Sequence, residues 1–386
     1  MRVLVTGARG MLGGAVARTL AARGDEVTVL QRGASGLPVR EVRADLGDPD
    51  APLDAALAGQ DAVVHLAAKV DVVGPWRDYA RTNVEGSGRL LAAARAAGVA
   101  RFVHVSSPSV ANAGEALVGV GAGPADPARA RGHYARSKAL AERAVLDANG
   151  ELACTNAGLA RTNAGLARTN AELAYRGSQL AGPERATHRA GTLNSPGPDG
   201  QPAARPAVVV VRPHLVWGPG DTQLVGRILA RARARRLAVV GTGTALIDTT
   251  YVDDAVDALV AALDRAPDLH GRVLVVSGGE PRPVAELLAS ICAAVDAPAP
   301  RVAVPARLAR VAGAVVETFW RREPPMTRFL AEQLSTAHWF DQRETRAALG
   351  WAPRVGLDEG FRRLRTADPC QAAPWPAPQR PVTASS

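Results

Sequence analysis

The chain opens with MRVLVTGARGMLGG, residues 1–14, and this stretch decides the fold. Its apolar run VLVT predicts a short buried strand, and the apolar spacing that begins at Met11 predicts an amphipathic helix. Between them, Gly7, Gly10 and Gly13 follow a G-x-x-G-x-x-G spacing. Glycines at this point allow a tight turn and let a pyrophosphate approach the backbone at the helix N-terminus. The opening stretch therefore predicts a dinucleotide-binding unit.

Strand-like and helix-like segments alternate through the rest of the chain. Strands are predicted at residues 3–6, 26–30, 62–66, 101–106, 207–211 and 273–277, and helices at 11–23, 88–97, 134–148 and 224–236. Strands that alternate with helices form βαβ units, whose right-handed crossovers build a parallel sheet. The sequence thus predicts an α/β fold: a Rossmann doubly wound parallel sheet with a smaller C-terminal α/β substrate lobe.

Two stretches of biased composition divide the chain. The heptapeptide TNAGLAR, first seen at Thr155, recurs unchanged at 162–168 and as TNAELAY at 169–175, and Gly, Pro, Ser and Thr dominate the residues that follow. We expect 150–205 to be a mobile low-complexity insertion and 367–386 to be a disordered tail. The predicted domains are 1–149 with 206–277 for dinucleotide binding, part of 213–245 facing the substrate lobe, and 278–366 for that lobe.

The composition excludes several classes of function. The net charge is +9, but only two of the 46 basic residues are lysines, Lys69 and Lys138. Because the arginines are scattered, they indicate a composition bias rather than a nucleic-acid surface. The three cysteines (Cys154, Cys292 and Cys370) lie far apart and predict neither a disulfide framework nor a metal site. With no recognisable membrane span or signal peptide, we expect a cytoplasmic protein.

Two residues on a predicted helix, Tyr134 and Lys138, stand four apart and therefore share one face. A tyrosine has an ordinary pKa of about 10, and a nearby ammonium lowers that pKa by favouring the phenolate. Tyr134 is thus predicted to exchange a proton with a carbonyl oxygen as hydride is transferred. Because lysine is so rare here, its presence at 138 indicates a need for a compact ammonium. Ser107, with Ser106 as the alternative, ends the fifth strand and would hold the substrate carbonyl.

The end of the second predicted strand indicates which dinucleotide binds. Enzymes that use NAD usually place an acid there for the ribose hydroxyls, whereas this chain has Leu30, Gln31 and Arg32. Arg32, helped by Arg9 in the glycine loop, can accept a 2′-phosphate through charge-assisted hydrogen bonds. The sequence therefore favours NADP(H); the alternative is that Arg32 is an ordinary surface arginine.

Further side chains are predicted to contact the cofactor. Asp45 and Leu46 follow the third strand-like run and would bracket the adenine, unless Asp45 serves only as a turn residue. The small residues of HLAA, residues 65–68, let the backbone come close to the cofactor. The predicted cofactor contacts are Gly7, Arg9, Gly10, Met11, Leu12, Gly13, Arg32, Asp45, Leu46, Ala67, Tyr134, Lys138 and Pro213.

Five short motifs come in one characteristic order: TGARGMLG, HLAA, TNVEG, SSPSV and YARSK. In combination and order, they resemble the extended short-chain dehydrogenases/reductases over the first 140 residues. The resemblance implies a fourth catalytic residue, Asn83 of TNVEG, which would help to order the site through water. The alternative for Asn83 is a helix cap.

Three downstream motifs carry a narrower resemblance. RPHLVWGPGD at 212–221, IDTTYVDDAV at 247–256 and EPPMTRFLAEQLSTAHWF at 323–340 resemble the 2-alkyl-3-oxoalkanoate reductases of bacterial long-chain olefin biosynthesis. These are similar to 3β-hydroxysteroid and sterol-4-carboxylate dehydrogenases. The resemblance implies NADPH-dependent reduction of a long-chain 3-oxo acid. Lys69, directly after HLAA, is then predicted to pair with the substrate carboxylate, unless it is an ordinary loop lysine.

Other interpretations of the sequence stay open. A 3β-hydroxysteroid or sterol-4-carboxylate dehydrogenase would use the same catalytic residues, and a non-catalytic NADP(H)-sensing protein would bind the cofactor without turnover. A nucleotide-sugar epimerase is disfavoured because the substrate lobe is apolar. Residues 303–320 are apolar enough to wall a lipid pocket, to touch a membrane surface or to form a core helix. The resemblance implies a β-lactone synthetase and a β-lactone decarboxylase as partners, and we expect a homo-oligomer.

Overall fold

The computed structural model describes residues 1–71, 74–111, 114–148, 205–309 and 335–366. The predicted low-complexity insertion, save for its last residue, and the predicted tail, from its first residue on, lie outside these residues. So does most of the apolar stretch 303–320. Within the described ranges, no helix is both long enough and apolar enough to cross a membrane.

The strands are short, and most of them follow the apolar runs of the sequence. They are β1 (Arg2–Thr6), β2 (Glu26–Gln31), β3 (Arg40–Arg43), β4 (Ala62–His65), β5 (Arg101–Val105), β6 (Leu117–Val120), β7 (Ala207–Pro213), β8 (Val216–Trp217), β9 (Ala238–Val240), β10 (Leu246–Ile247), β11 (Thr250–Tyr251), β12 (Val273–Val276), β13 (Arg282–Pro283), β14 (Val302–Val304) and β15 (His338–Phe340).

The helices flank these strands. They are α1 (Met11–Ala22), α2 (Leu53–Leu57), α3 (Trp76–Tyr79), α4 (Gly86–Ala96), α5 (Gly132–Ala148), α6 (Val225–Arg233), α7 (Val252–Asp264), α8 (Val284–Ala294), α9 (Arg343–Leu349) and α10 (Leu357–Thr366). A π-helical segment, Ala80–Glu85, leads into α4, and a 3-10 turn, Pro108–Ala111, follows β5.

Seven parallel strands form the main sheet in the order β12-β7-β5-β4-β1-β2-β3. Helices cover both faces, so the central strands are buried on both sides and read as continuous apolar runs. From β1 the chain builds outward to β2 on one side and later returns to β4 on the other. This reversal opens a crevice at the carboxyl ends of the strands, where ligands bind in such sheets. The predicted doubly wound α/β fold is confirmed.

Two apolar layers hold the sheet between its helices. On one face Val5 packs with Leu20 of α1 and Leu259 of α7. On the other face Leu4 packs with Leu90 of α4 and with apolar residues of α2 and α5. Burial of one such side chain contributes about 1.5–3 kcal/mol. The layers therefore fix the sheet rigidly beneath the loops at its carboxyl edge.

A second sheet of four strands, in the order β13-β10-β15-β6, lies beside the first. Its strand β15 pairs in parallel with both β6 and β10. The sequence assigned 117–120 and 246–247 to the dinucleotide-binding domain, whereas the structure pairs both segments with β15 from the predicted substrate lobe. Strand pairing over such separations depends on the tertiary fold, and local patterns do not reveal it.

Candidate active site

The glycine loop joins β1 to α1 and leaves no room for a side chain at Gly7 or Gly13. Gly7 has a φ of +76°, and its amide donates to the Leu30 carbonyl at 3.1 Å. A Cβ at Gly7 would lie 2.9 Å from the backbone of Ala67, and a Cβ at Gly13 would lie 2.4 Å from the Gly7 carbonyl oxygen. The loop is thus a backbone cradle at the start of α1, which fits the pyrophosphate of a dinucleotide.

The side chain of Arg9 reaches the end of β2, where Arg32 follows the strand. Arg9 and Arg32 are both exposed. A Cβ built on Gly33 would lie 3.3 Å from a terminal nitrogen of the Arg9 guanidinium. The glycine loop therefore brings Arg9 beside the residue that follows Arg32, at the position where the ribose of a dinucleotide lies in doubly wound folds.

Asp45 and Leu46 have partners of their own. The Asp45 carboxylate accepts the Gly47 amide at 2.8 Å, which is the turn role that the sequence offered as the alternative. The Leu46 side chain is buried in the core under α4, and its carbonyl accepts a hydrogen bond from Arg89 at 2.7 Å. Both residues thereby shape the loop after β3.

Other predicted cofactor contacts surround the crevice. Met11 and Leu12 are half-buried at the start of α1, and Pro213 is buried at the end of β7. Ala67 lies directly against the glycine loop. The structure therefore brings these four residues to the carboxyl edge of the main sheet or to the start of α1.

The catalytic prediction rests on α5, which places Tyr134 and Lys138 one turn apart. The Ser107 hydroxyl forms a hydrogen bond with the Tyr134 phenol, and Ser109 supports it with a hydroxyl contact of 2.9 Å. Ser106 is buried instead, and its hydroxyl has no hydrogen-bond partner within the described part of the chain. The structure thus brings Ser107, rather than Ser106, against Tyr134.

The electrostatics of the pair differ from the prediction. Burial raises the pKa of Tyr134, and the hydrogen bond from Ser107 only partly offsets this rise. The Lys138 ammonium donates to the Val105 carbonyl at 2.7 Å. Burial lowers the pKa of Lys138 to about 8, while the charge of Glu142 opposes that shift. The predicted lowering of the Tyr134 pKa is corrected, because loss of hydration outweighs the favourable contacts of the phenolate.

Asn83 is fully buried in the π-helical segment and uses its whole amide. Its Oδ1 accepts the Lys69 amide at 2.7 Å, and its Nδ2 donates to the Lys69 carbonyl at 3.0 Å. Nδ2 also donates to the Ser137 hydroxyl at 2.9 Å, and that hydroxyl donates to the Tyr134 carbonyl at 2.8 Å. Asn83 therefore joins the loop after β4 to the helix of Tyr134.

Lys69, the predicted carboxylate partner, already has an anion beside it. Its ammonium lies 2.7 Å from the Asp71 carboxylate and 5.3 Å from the centre of the Tyr79 ring. The Tyr79 hydroxyl donates to the Asp71 carbonyl at 2.7 Å, which fixes this short loop. A substrate carboxylate would have to take the place of Asp71.

Sequence reasoning missed a buried ion pair beneath the site. Arg212 at the end of β7 and Glu142, one turn after Lys138 on α5, are each only 1% exposed. The Arg212 Nε donates to Glu142 at 2.9 Å, a second nitrogen bonds the other carboxylate oxygen, and Nη1 donates to the carbonyls of Ala122 and Gly123. The signal for Arg212 was present: it is a lone charge that closes the apolar run AVVVV.

Comparisons with known proteins agree with this geometry. The model of the NAD dependent epimerase/dehydratase family matches residues 3–164 and 203–277, which include the glycine loop, Tyr134 and Lys138. The chain is 36% identical to a 2-alkyl-3-oxoalkanoate reductase of Stenotrophomonas maltophilia, over 95% of this chain and 98% of the relative. It is 34% identical to a 2-alkyl-3-oxoalkanoate reductase of Shewanella oneidensis, over 94% of this chain and 84% of the relative.

Among solved structures, the fold is similar to that of a short-chain dehydrogenase/reductase superfamily protein from Agrobacterium tumefaciens with bound NAD. The TM-score is 0.65 at 20% identity, over 95% of this chain and 97% of the other. At that identity the likeness concerns the fold.

Proposed function

Because the chain belongs to the NAD dependent epimerase/dehydratase family, as an extended short-chain dehydrogenase/reductase, we propose that it reduces a long-chain 2-alkyl-3-oxoalkanoate to the 2-alkyl-3-hydroxyalkanoate in olefin biosynthesis. Members of this family of reductases use NAD(P), so the chain is an NAD(P)-dependent oxidoreductase. The observation that carries the choice of substrate is the 36% identity to the Stenotrophomonas reductase over nearly the whole length of both chains.

The chemistry follows from the groups beside the crevice. The dinucleotide, when bound, supplies the hydride for C3 of the substrate. In the free site the Ser107 hydroxyl donates to the Tyr134 phenol; when the substrate is bound, each of these hydroxyls would instead turn its single proton to the carbonyl oxygen. Because burial raises its pKa, Tyr134 is protonated at neutral pH and serves as the general acid that gives its proton to that oxygen. The Lys138 ammonium favours the phenolate that remains.

For the cofactor we propose NADPH, with Arg32 and Arg9 on the 2′-phosphate. One charge-assisted hydrogen bond contributes about 1.5–3 kcal/mol, so Arg32→Ala should lower the preference for NADPH over NADH by roughly 10–150-fold. The ratio of the two dissociation constants, from fluorescence titration, measures this preference. Arg301→Ala, at an exposed position outside the crevice, is the matched control. An unchanged ratio in the Arg32 variant would remove Arg32 from the phosphate site.

For the substrate carboxylate we propose Lys69, which would exchange Asp71 for the substrate. Lys69→Met should raise KM for the oxo acid far more than KM for a neutral ketone of the same length. Asp71→Asn removes the competing anion, so it should lower KM for the acid and leave the ketone unaffected. Equal effects on acid and ketone in both variants would refute this role.

The decisive assay compares two substrate classes. NADPH oxidation with a long-chain 2-alkyl-3-oxo acid is measured beside NADP⁺ reduction with a 3β-hydroxysteroid. We expect the oxo acid to be turned over preferentially, and Tyr134→Phe to bind NADPH normally while its turnover falls by roughly 10²–10⁴-fold, the usual contribution of a general acid. Preferred turnover of the steroid would overturn the proposed substrate.

The resemblance alone supports a proposed setting. We propose that the protein acts in the cytoplasm as a homo-oligomer and passes its hydroxy acid to a β-lactone synthetase and a β-lactone decarboxylase. Light scattering of the purified chain, alone and mixed with those enzymes, tests the oligomeric state and the two partners, and a monomer that binds neither enzyme would contradict both.

A further inference from the structure

A buried chain of hydrogen bonds runs from the glycine loop to Asn83 beneath the crevice. The Thr6 hydroxyl lies 2.8 Å from Nδ1 of His65, and Nε2 of His65 lies 2.8 Å from the Ser87 hydroxyl. The Ser87 hydroxyl lies 2.6 Å from the Asn83 carbonyl oxygen. All four residues are at most 1% exposed. The chain is therefore shielded from solvent along its whole length.

The direction of every bond in this chain follows from one fixed end. The Asn83 carbonyl can only accept, so the Ser87 hydroxyl spends its single proton there. His65 must then donate from Nε2 to the Ser87 oxygen. Burial, helped by the charge of Lys138, lowers the pKa of His65 to about 3, so the ring is neutral and Nδ1 carries a lone pair. Nδ1 consequently accepts the Thr6 proton.

The two ends of this chain of hydrogen bonds reach the glycine loop on one side and the helix of Tyr134 on the other. The Thr6 oxygen accepts two amides, those of Leu66 and Ala67, at 3.1 and 3.0 Å, and this ties β1 to the loop after β4. At the other end, the Asn83 side chain binds the backbone of Lys69 and the hydroxyl of Ser137. Neutral histidine suits the middle position because it offers a donor and an acceptor on opposite edges.

We propose that His65 is a positioning residue that, as its Nε2–H tautomer, holds the dinucleotide loop in register with the helix of Tyr134. The hydrogen bond from Thr6 positions the glycine loop that would bind the dinucleotide, and the hydrogen bond to Ser87 positions Asn83 and, through it, the helix of Tyr134. The turnover measurement rests on the proposed reductase function, whereas the tautomer and the cofactor affinity do not.

Two substitutions separate the halves of the network. The amide of His65→Asn reaches the place of Nδ1 and keeps the Thr6 bond, while that of His65→Gln reaches the place of Nε2 and keeps the Ser87 bond. Loss of one buried hydrogen bond changes a dissociation constant or a rate constant by roughly tenfold. We expect His65→Gln to raise the dissociation constant of NADPH about tenfold with kcat nearly unchanged, and His65→Asn to lower kcat about tenfold with NADPH affinity nearly unchanged.

The control comes from the same buried layer. His104 lies 5.4 Å from His65 between ring centres, and neither of its ring nitrogens has a hydrogen-bond partner among the described residues. His104→Gln should therefore change neither the NADPH affinity nor kcat, although it changes a buried histidine in the same way.

Nitrogen-15 NMR of the whole chain tests the tautomer directly, with the His65→Gln variant identifying the signals. A neutral Nε2–H ring from pH 5 to 9 supports the proposal, and an Nδ1–H ring overturns it. Equal losses of affinity and kcat in both His65 variants, accompanied by the same fall in Tm, also overturn it. Absence of any turnover of the oxo acid by the parent contradicts the proposed function instead, and the tautomer and the NADPH affinities then decide the role of His65 by themselves.

Discussion

The pH dependence of turnover shows whether the Lys138 ammonium takes part in the chemistry. Burial lowers the pKa of Lys138 to about 8, and above that pH the charged fraction falls about tenfold for each pH unit. Burial raises the pKa of Tyr134 above its ordinary value, so the phenol keeps its proton over this range. We therefore expect kcat/KM for oxo-acid reduction to be constant up to about pH 7 and to fall about tenfold between pH 7 and 9.

Two variants test whether Lys138 causes this fall in kcat/KM at alkaline pH, called here the alkaline limb. Lys138→Arg carries a cation with a pKa above about 12, so its turnover, although slower, should be independent of pH up to about pH 10. Glu142→Gln removes the charge that raises the Lys138 pKa, so its limb should move to lower pH. NADPH affinity measured over the same range separates binding from chemistry. A limb that persists at the same pH in Lys138→Arg belongs to another group and refutes the reasoning.

Four further predictions concern cofactor binding and stability. Gly13→Ala would place a methyl group 2.4 Å from a carbonyl oxygen, so it should raise the dissociation constant of NADPH, measured by fluorescence, at least tenfold. Gly88→Ala puts its methyl group in open space on α4, so it should stabilise the protein by about 0.5–1 kcal/mol. Arg212→Met leaves Glu142 buried without its partner and should lower the free energy of unfolding in urea by about 3–5 kcal/mol; a loss below ~1 kcal/mol would contradict the importance of the pair. Since burial lowers the Lys138 pKa from 10.5 to about 8, the native state binds fewer protons than the unfolded chain between these values. The free energy of unfolding should therefore rise with pH across this window, and Lys138→Met should abolish the slope.

Features that depend on neighbouring residues could be predicted from the sequence. The glycine loop and its helix lie within the first 22 residues, and Tyr134 meets Lys138 through the pitch of a single helix. Apolar runs likewise identified the inner strands of the main sheet, because these strands are buried on both faces. The edge strand β3, with the sequence REVR, is exposed or half-buried and has no such run. In each case local spacing alone contains the relevant geometry.

Features that depend on tertiary pairing could not be predicted from the sequence. Arg212 and Glu142 are 70 positions apart, and only the approach of β7 to α5 brings them together. Strand β6 pairs with β15 although more than half of the chain separates them in sequence. The direction of the Tyr134 pKa depends on how far the phenol is removed from water, which no residue spacing states. The sequence also did not reveal that the Asp71 carboxylate pairs with Lys69, or that the Tyr79 hydroxyl donates to the Asp71 carbonyl in the same loop.

The direction of α5 has a consequence for how this protein tolerates change. The helix starts beside Ser107, and its 17 residues carry the chain about 25 Å to the opposite edge of the sheet. There the Ala148 carbonyl accepts a bond from Arg95, and β7 begins at Ala207 with a bond to the carbonyl of Ala100. We therefore expect that residues can be added or removed between these two anchors without disturbing the crevice. The same junction is a suitable place to attach a fluorophore or to splice in a second enzyme.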